Sequence, residues 1–167
     1  VSFNSEDADA KLRVSAVGQL PGITKDVWAF KQLDAEGHLA VATTTGSLGA
    51  YLDADKARNH LFVVKQEKNK LNVVGQVTNF GFNEDIRSVR YVDNTAYIVT
   101  FKKTDPLFAI DVTKPTEPKM LGELKIPGFS TYMHPVAPGR VLGLGFDALE
   151  VGDTAYYQGI QFSLFDV

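Results

Sequence analysis

Three basic residues, Lys31, Arg90 and His134, stand at matching places in three related segments, each one position before Gln32, Tyr91 or Pro135. If those segments line a common axis, the three side chains face one ligand. Converging cations in a low-dielectric funnel concentrate anions, so the chemistry on offer is anion binding. Asp26 and Asp85 align with each other ahead of the first two segments. They offer a competing arrangement, in which each cation pairs with a neighbouring acid and stitches one segment to the next. Buried charges are normally paired, which favours this second arrangement. His134 also has a purely structural use, as a core histidine beside a kink at Pro135.

Two acidic stretches are the other candidates. One runs from about Thr44 to Asn59 and holds Tyr51, Asp53 and Asp55; the other runs from Phe146 to Gln158 and holds Asp147, Glu150 and Asp153. Both read as long loops on one face, where function concentrates. Their carboxylates could ligate calcium through oxygen. Neither has the spacing of a calcium-binding loop, and solvated loop acids are the plainer reading. Calcium is thus the one cofactor the acids suggest, and no metal site is assigned.

Nucleophile and base signatures are missing. The chain has no cysteine, and His38, His60 and His134 lie in three different settings. There is no Gly-x-Ser-x-Gly elbow and no phosphate-binding glycine loop. No catalytic residue is assigned, and the balance leans away from an enzyme. An active site assembled from distant segments would, however, leave no local pattern.

The elements that must position these residues come from a repeat. The unit Val17-Gly18-Gln19-Leu20 returns as Val74-Gly75-Gln76-Val77 and Leu121-Gly122-Glu123-Leu124. A second unit returns as Leu61–Val64, Leu107–Val112 and Phe162–Val167, and a third as Leu39–Thr43, Ala96–Thr100 and Val141–Gly145. Leu61 and Leu107 are 46 residues apart, and Gly75 and Gly122 are 47 apart. Each repeat holds four short runs rich in β-branched and aromatic residues, divided by Gly, Pro, Asn or Asp. In the clearest repeat the runs are Ile86–Val92, Thr95–Phe101, Leu107–Val112 and Lys119–Ile126, labelled a to d. Asp93-Asn94 predicts a tight a–b turn, and the prolines between Asp111 and Lys119 predict a c–d loop. Tyr97-Ile98-Val99 is apolar on both faces, as in a sheet packed between two neighbours. Trp28 reads as a strand residue with a core or inter-blade role. Tyr51–Arg58 is the best helix candidate, at a turn or two.

Four antiparallel strands per repeat of about 40–50 residues is the blade pattern of a β-propeller. The predicted fold is all-β, a partial propeller of about three four-stranded blades. The blades divide as 1–26 (partial), 27–83, 84–130 and 131–167 (partial). The segments Ser88–Val92 to Phe101, Asp105–Val112, Leu121–Ser130, Tyr132–Pro135 and Leu164–Val167 resemble a particular family. It is that of bacterial and archaeal secreted proteins with a C-terminal β-propeller distantly related to tryptophan–aspartate repeats. The resemblance implies the fold and an extracytoplasmic or cell-surface location; it carries no assigned chemistry.

Composition sets wide bounds. The 167 residues are 44% hydrophobic and 22% charged, with a formal net charge of -3. That balance gives no reason to expect nucleic acid as a partner, and no run reaches the ~18 apolar residues of a membrane span. The first and last segments, near Val1–Asn4 and Asp166-Val167, both align with strand c. The chain therefore reads as a fragment that associates with itself or with missing blades, for instance as two copies making a six-bladed ring. Three functions stay open: a binding or scaffold module with a protein or carbohydrate partner, part of an enzyme whose site spans blades absent here, or a structural support.

Overall fold

A computed structural model describes residues 14–46, 56–101, 105–126, 128–151 and 154–167. Eleven strands form three antiparallel sheets. The first sheet orders β1 (Phe30–Gln32), β2 (Leu39–Thr45), β3 (Arg58–Glu67) and β4 (Lys70–Phe80). The second orders β5 (Asp85–Val92), β6 (Thr95–Phe101), β7 (Asp105–Asp111) and β8 (Lys119–Ile126). The third holds β9 (Phe129–Ala137), β10 (Arg140–Val151) and β11 (Thr154–Asp166), with β11 at its edge. Every strand pairs with its sequence neighbour, so each sheet is a meander, as a propeller blade requires. The all-β propeller fold expected from the repeat is the fold observed.

Local chemistry sets the turns where the sequence put them. Asp93 turns the chain between β5 and β6 at φ 46°, a left-handed conformation that Asp tolerates. Gly81 (φ 56°) follows β4 and turns the chain out of the first sheet. The candidate helix lies mostly outside the described residues, and its last residue, Arg58, opens β3. Trp28 is in a 3-10 turn (Val27–Ala29) rather than a strand, because the Asp26 carboxylate accepts the Trp28 N–H at 2.9 Å and curls the backbone. Residues 146–151 and 154–158 are strand rather than loop. Asp147 pairs with Gly159 and Glu150 with Ala155 in a long β10–β11 hairpin. Its acids masked the alternation of a strand whose Phe146 and Asp147 are exposed.

The core lies between sheets. Along β6, Ala96 and Ile98 point to the first sheet, where they meet Ala42, Leu61 and Phe80. Tyr97 and Val99 point the other way, to Met133, Val141 and Phe165 of the third sheet. The period of two thus sends alternate residues of one strand into two different cores. Ile98 and Val99 are both fully buried. At ~25 cal/mol per Å2 of apolar surface, each such side chain contributes about 1.5–3 kcal/mol.

The glycines of the recurring unit mark where one blade meets the next. A Cβ on Gly18 would lie 2.6 Å from Leu71 O at the start of β4. A Cβ on Gly75, in β4, would lie 2.2 Å from Pro115 O in the β7–β8 loop. The outer strand of one blade therefore runs so close to the next blade's c–d turn that only glycine fits. Gly122, the matching residue of β8, has nothing within 4 Å of the same position.

Replacing Gly75 with alanine is expected to lower stability by about 1–3 kcal/mol through overpacking. Gly122→Ala should change it by well under 1 kcal/mol. Urea midpoints of the two variants check the contrast; equal losses would contradict the seam.

Candidate functional site

The register places the three basic residues at one level. Lys31 lies opposite Ala40, Arg90 opposite Tyr97 and His134 opposite Leu142, on the innermost strand of each sheet. Each is already engaged. Lys31 Nζ donates to the Asp93 carbonyl in the next blade's a–b turn at 2.5 Å. Arg90 Nε donates to the Met133 carbonyl of the third sheet at 2.6 Å. The Arg90 guanidinium lies 3.7 Å from the Trp28 ring centroid on one side and 5.0 Å from Tyr132 on the other. It is thereby held among all three blades. His134 Nδ1 meets the Tyr132 hydroxyl at 3.1 Å, with the rings stacked. The stitching is to carbonyls and ring faces rather than to Asp26 and Asp85. Asp26 caps Trp28, and Asp85 lines the cavity described below.

Arg90 is 8% exposed, and its charge is held by a carbonyl and aromatic faces. A guanidinium can do this because it is planar, weakly hydrated and stacks on rings. Lysine at this place keeps the charge but loses the stacking and the fixed Nε–H. Tyr91 adds a second tie, its hydroxyl donating to the Ala29 carbonyl of the first blade at 3.2 Å. Burial pushes the Tyr91 phenol well up, so it donates throughout the accessible pH range.

The acidic candidates are scattered. Tyr51, Asp53, Asp55 and Asp153 lie outside the described residues. Asp147 is exposed on β10, and Glu150 stands near the hairpin tip. Among the described residues no three His, Asp or Glu side chains group as metal ligands do. No helix among them is long and apolar enough to cross a membrane.

Repeat reasoning missed a cleft between the first two blades, at the end where the d–a connections and the ends of strands b meet. This cavity of about 270 Å3 is lined by Ile23, Thr24, Lys25, Thr44, Asp85 and Arg87. Ile23 is held there by paired backbone hydrogen bonds to Thr44, both 2.9 Å. The β5–β6 register shifts between Ile86 and Ser88, leaving Arg87 as the extra residue of a β-bulge. Bulges re-aim side chains and recur beside functional sites. Arg87 Nε is buried with no hydrogen-bond partner among the described residues, and its guanidinium carbon lies 5.6 Å from the Phe101 ring centroid. Lys25 and Arg87 bring two cations to the cleft against the single carboxylate of Asp85. The only signal in the sequence was the pair of cations flanking the aligned acids.

Other shifted groups stand apart from the cleft. Asp111 is lowered by its hydrogen bonds with Thr113, and Glu117 by those with Lys114, both in the β7–β8 turn. Burial lowers His60, whose Nδ1 accepts the Asn79 N–H at 3.4 Å while Nε2 meets the Thr45 hydroxyl at 2.8 Å. A depressed histidine is neutral when folded, and the unfolded chain binds the proton more tightly. Its stabilising effect is present above the ordinary value of 6.5 and is lost as pH falls below it.

Two measurements check this geometry. Arg90→Lys should cost about 1–3 kcal/mol by leaving the Met133 carbonyl without a partner, read as a lower urea midpoint. Thermal melts should show wild-type stability falling between pH 7 and 5.5, with a flatter profile for His60→Gln.

The β-propeller domain family model matches residues 2–167. The chain is 44% identical over 118 residues to an uncharacterized protein of Methanocaldococcus jannaschii, a match covering 71% of this chain and 18% of that protein. It is 36% identical over 157 residues to an uncharacterized protein of Archaeoglobus fulgidus, covering 94% of this chain and 22% of that one. The chain thus spans about a fifth of the length of these curated relatives. No solved structure matches it. With a three-sheet meander in the described residues and a match across nearly its full length, the chain belongs to the β-propeller domain family.

Proposed function

We propose that this chain is a non-catalytic binding module of a longer secreted or surface protein, and that its loop face binds an anionic group of its partner. The extracytoplasmic location rests on the resemblance to secreted proteins whose propellers are distantly related to tryptophan–aspartate repeats. The binding reading rests on Arg87: a bulge places an arginine on the wall of an open cleft, and its Nε–H has no acceptor among the described residues. A buried donor left unmade costs about 1–3 kcal/mol, and an oxyanion in the cleft offsets that cost. Lys25 adds a second charge and Thr24 a hydroxyl on the same wall. A carboxylate, from an acidic side chain or an acidic sugar, has the size and charge for the space.

The alternative is a contribution to an enzyme site that spans further blades. It needs an acid or base with a displaced pKa in the cleft. The groups with displaced values lie elsewhere, which favours binding.

Sulfate and acetate titrations, followed through the Arg87 Nε–Hε NMR signal, test the site. The expected result is saturable movement of that signal and of the Thr24 amide at millimolar concentration, with the Thr24 movement lost in Arg87→Met. No movement, or equal movement in the variant, would overturn the reading.

A further inference from the structure

We infer that the partner carrying the anionic group is a protein, and that it presents an acidic side chain to the Arg87 cleft and a neighbouring large apolar one to Phe82. This deepens the proposed function and rests on it: the cleft supplies the anion site, and Phe82 narrows what fills it.

Phe82 stands in the connection between β4 and β5, three residues before Asp85 on the cleft wall. It lies between the two four-stranded sheets. Its side chain is 59% exposed. The Arg58 guanidinium carbon lies over the ring, 4.4 Å from its centroid. Arg58 is itself fixed, with Nη1 donating to the Ala57 carbonyl at 2.6 Å and to Asn83 Oδ1 at 3.1 Å. Aromatic residues and arginine are the side chains that most often carry binding energy at protein interfaces. A lone exposed ring is ordinary; this one differs in how firmly its backbone is held.

The hold comes from Asn59, which is fully buried. Its Nδ2 donates to the carbonyls of Phe80 at 3.3 Å, Gly81 at 3.0 Å and Glu84 at 3.0 Å. One side chain thus ties both ends of the connection that carries Phe82. The Asn83 N–H donates to the Ala57 carbonyl at 3.0 Å, and the Thr100 hydroxyl donates to Glu84 Oε2 at 2.6 Å. Asn83 takes a left-handed conformation at φ 65°, which asparagine tolerates. A connection held this way loses little freedom when a partner docks on it.

The same asparagine reaches the cleft. Its Oδ1 accepts the Thr44 hydroxyl at 2.7 Å, and Thr44 lines the cleft. Thr44 Oγ1 accepts the N–H of Ile86, the residue before the Arg87 bulge, at 3.4 Å. Phe82 and the cleft are therefore parts of one braced surface. The chain from Phe82 to Asp85 spans at most about 10–11 Å, a distance that roughly three residues of an extended peptide cover. In such a peptide, side chains two positions apart point the same way.

Charge and hydrogen bonding both favour a peptide over a sugar. Lys25 and Arg87 stand on the cleft wall and Arg58 backs the ring, a cationic setting for an acidic segment. Around the ring, the Asn59 amide, Asn83 Oδ1 and Arg58 Nη1 are bonded within the chain. The surface thus offers an apolar ring beside cations. Sugar hydroxyls desolvated against that ring would lose water without gaining partners, whereas an apolar side chain gains by burial.

Two capped pentapeptides, Ala-Glu-Ala-Phe-Ala and Ala-Glu-Ala-Ala-Ala, test the inference by amide NMR of the 167-residue chain, with acetate and glucuronate as small anions. The phenylalanine peptide should bind about tenfold more tightly than the alanine one, moving the Phe82 and Thr24 amides together. Phe82→Ala, at an exposed position, should erase that difference and leave the acetate response of the Thr24 amide unchanged. Equal binding of the two peptides, a difference that survives Phe82→Ala, or glucuronate binding as tight as that of the phenylalanine peptide would overturn the inference while the anion site stands. Failure of acetate itself to move the Thr24 amide would remove the anion site, and the inference with it.

Discussion

A sheet that is apolar on both faces has no stable existence alone, and the fold depends on that constraint. The second blade satisfies it by sitting between two others, with Ile98 in one core and Val99 in the next. Neither core belongs to a single blade. Stability therefore accrues at the seams, as in other repeat proteins, and seam residues carry more of the structure than their local contacts suggest. Arg90 is the clearest case. One side chain touches Trp28 of the first blade and both Tyr132 and Met133 of the third. A cation can occupy such a place because ring faces and a carbonyl replace the water it loses.

The same constraint explains the glycine unit. Blades fan out from an axis, so their outer strands should diverge, yet the c–d turns of the next blade reach back to touch them. Gly18 and Gly75 leave room for that contact, and Gly122 shows it unmade. The relatives are about five times longer than their match to this chain.

Much of this was legible because repeats encode topology directly. The strands Thr95–Phe101 and Lys119–Ile126 have the limits expected from their turn residues. The alignment of Lys31, Arg90 and His134 survives as a shared register. What those cations touch was not legible, since pairing with a carbonyl or a ring face leaves no complementary charge in the sequence. The β10–β11 hairpin was hidden for a different reason: Asp147 is exposed on β10, and together with Glu150 on the same strand it reads as loop. Arg87 escaped notice because a bulge is a one-residue shift in pairing, visible only when both strands are in place.

The most direct test of a two-faced middle sheet is a methyl NOE spectrum of the chain with labelled Ile, Leu, Val and Met. Neighbouring residues of one strand should report different partners. The account predicts contacts from Ile98 to Leu61 and from Val99 to Met133, with no crossing between the two sets. Contacts of Ile98 and Val99 to a common set of methyls would place both in one core, and the stacked-blade account would fail.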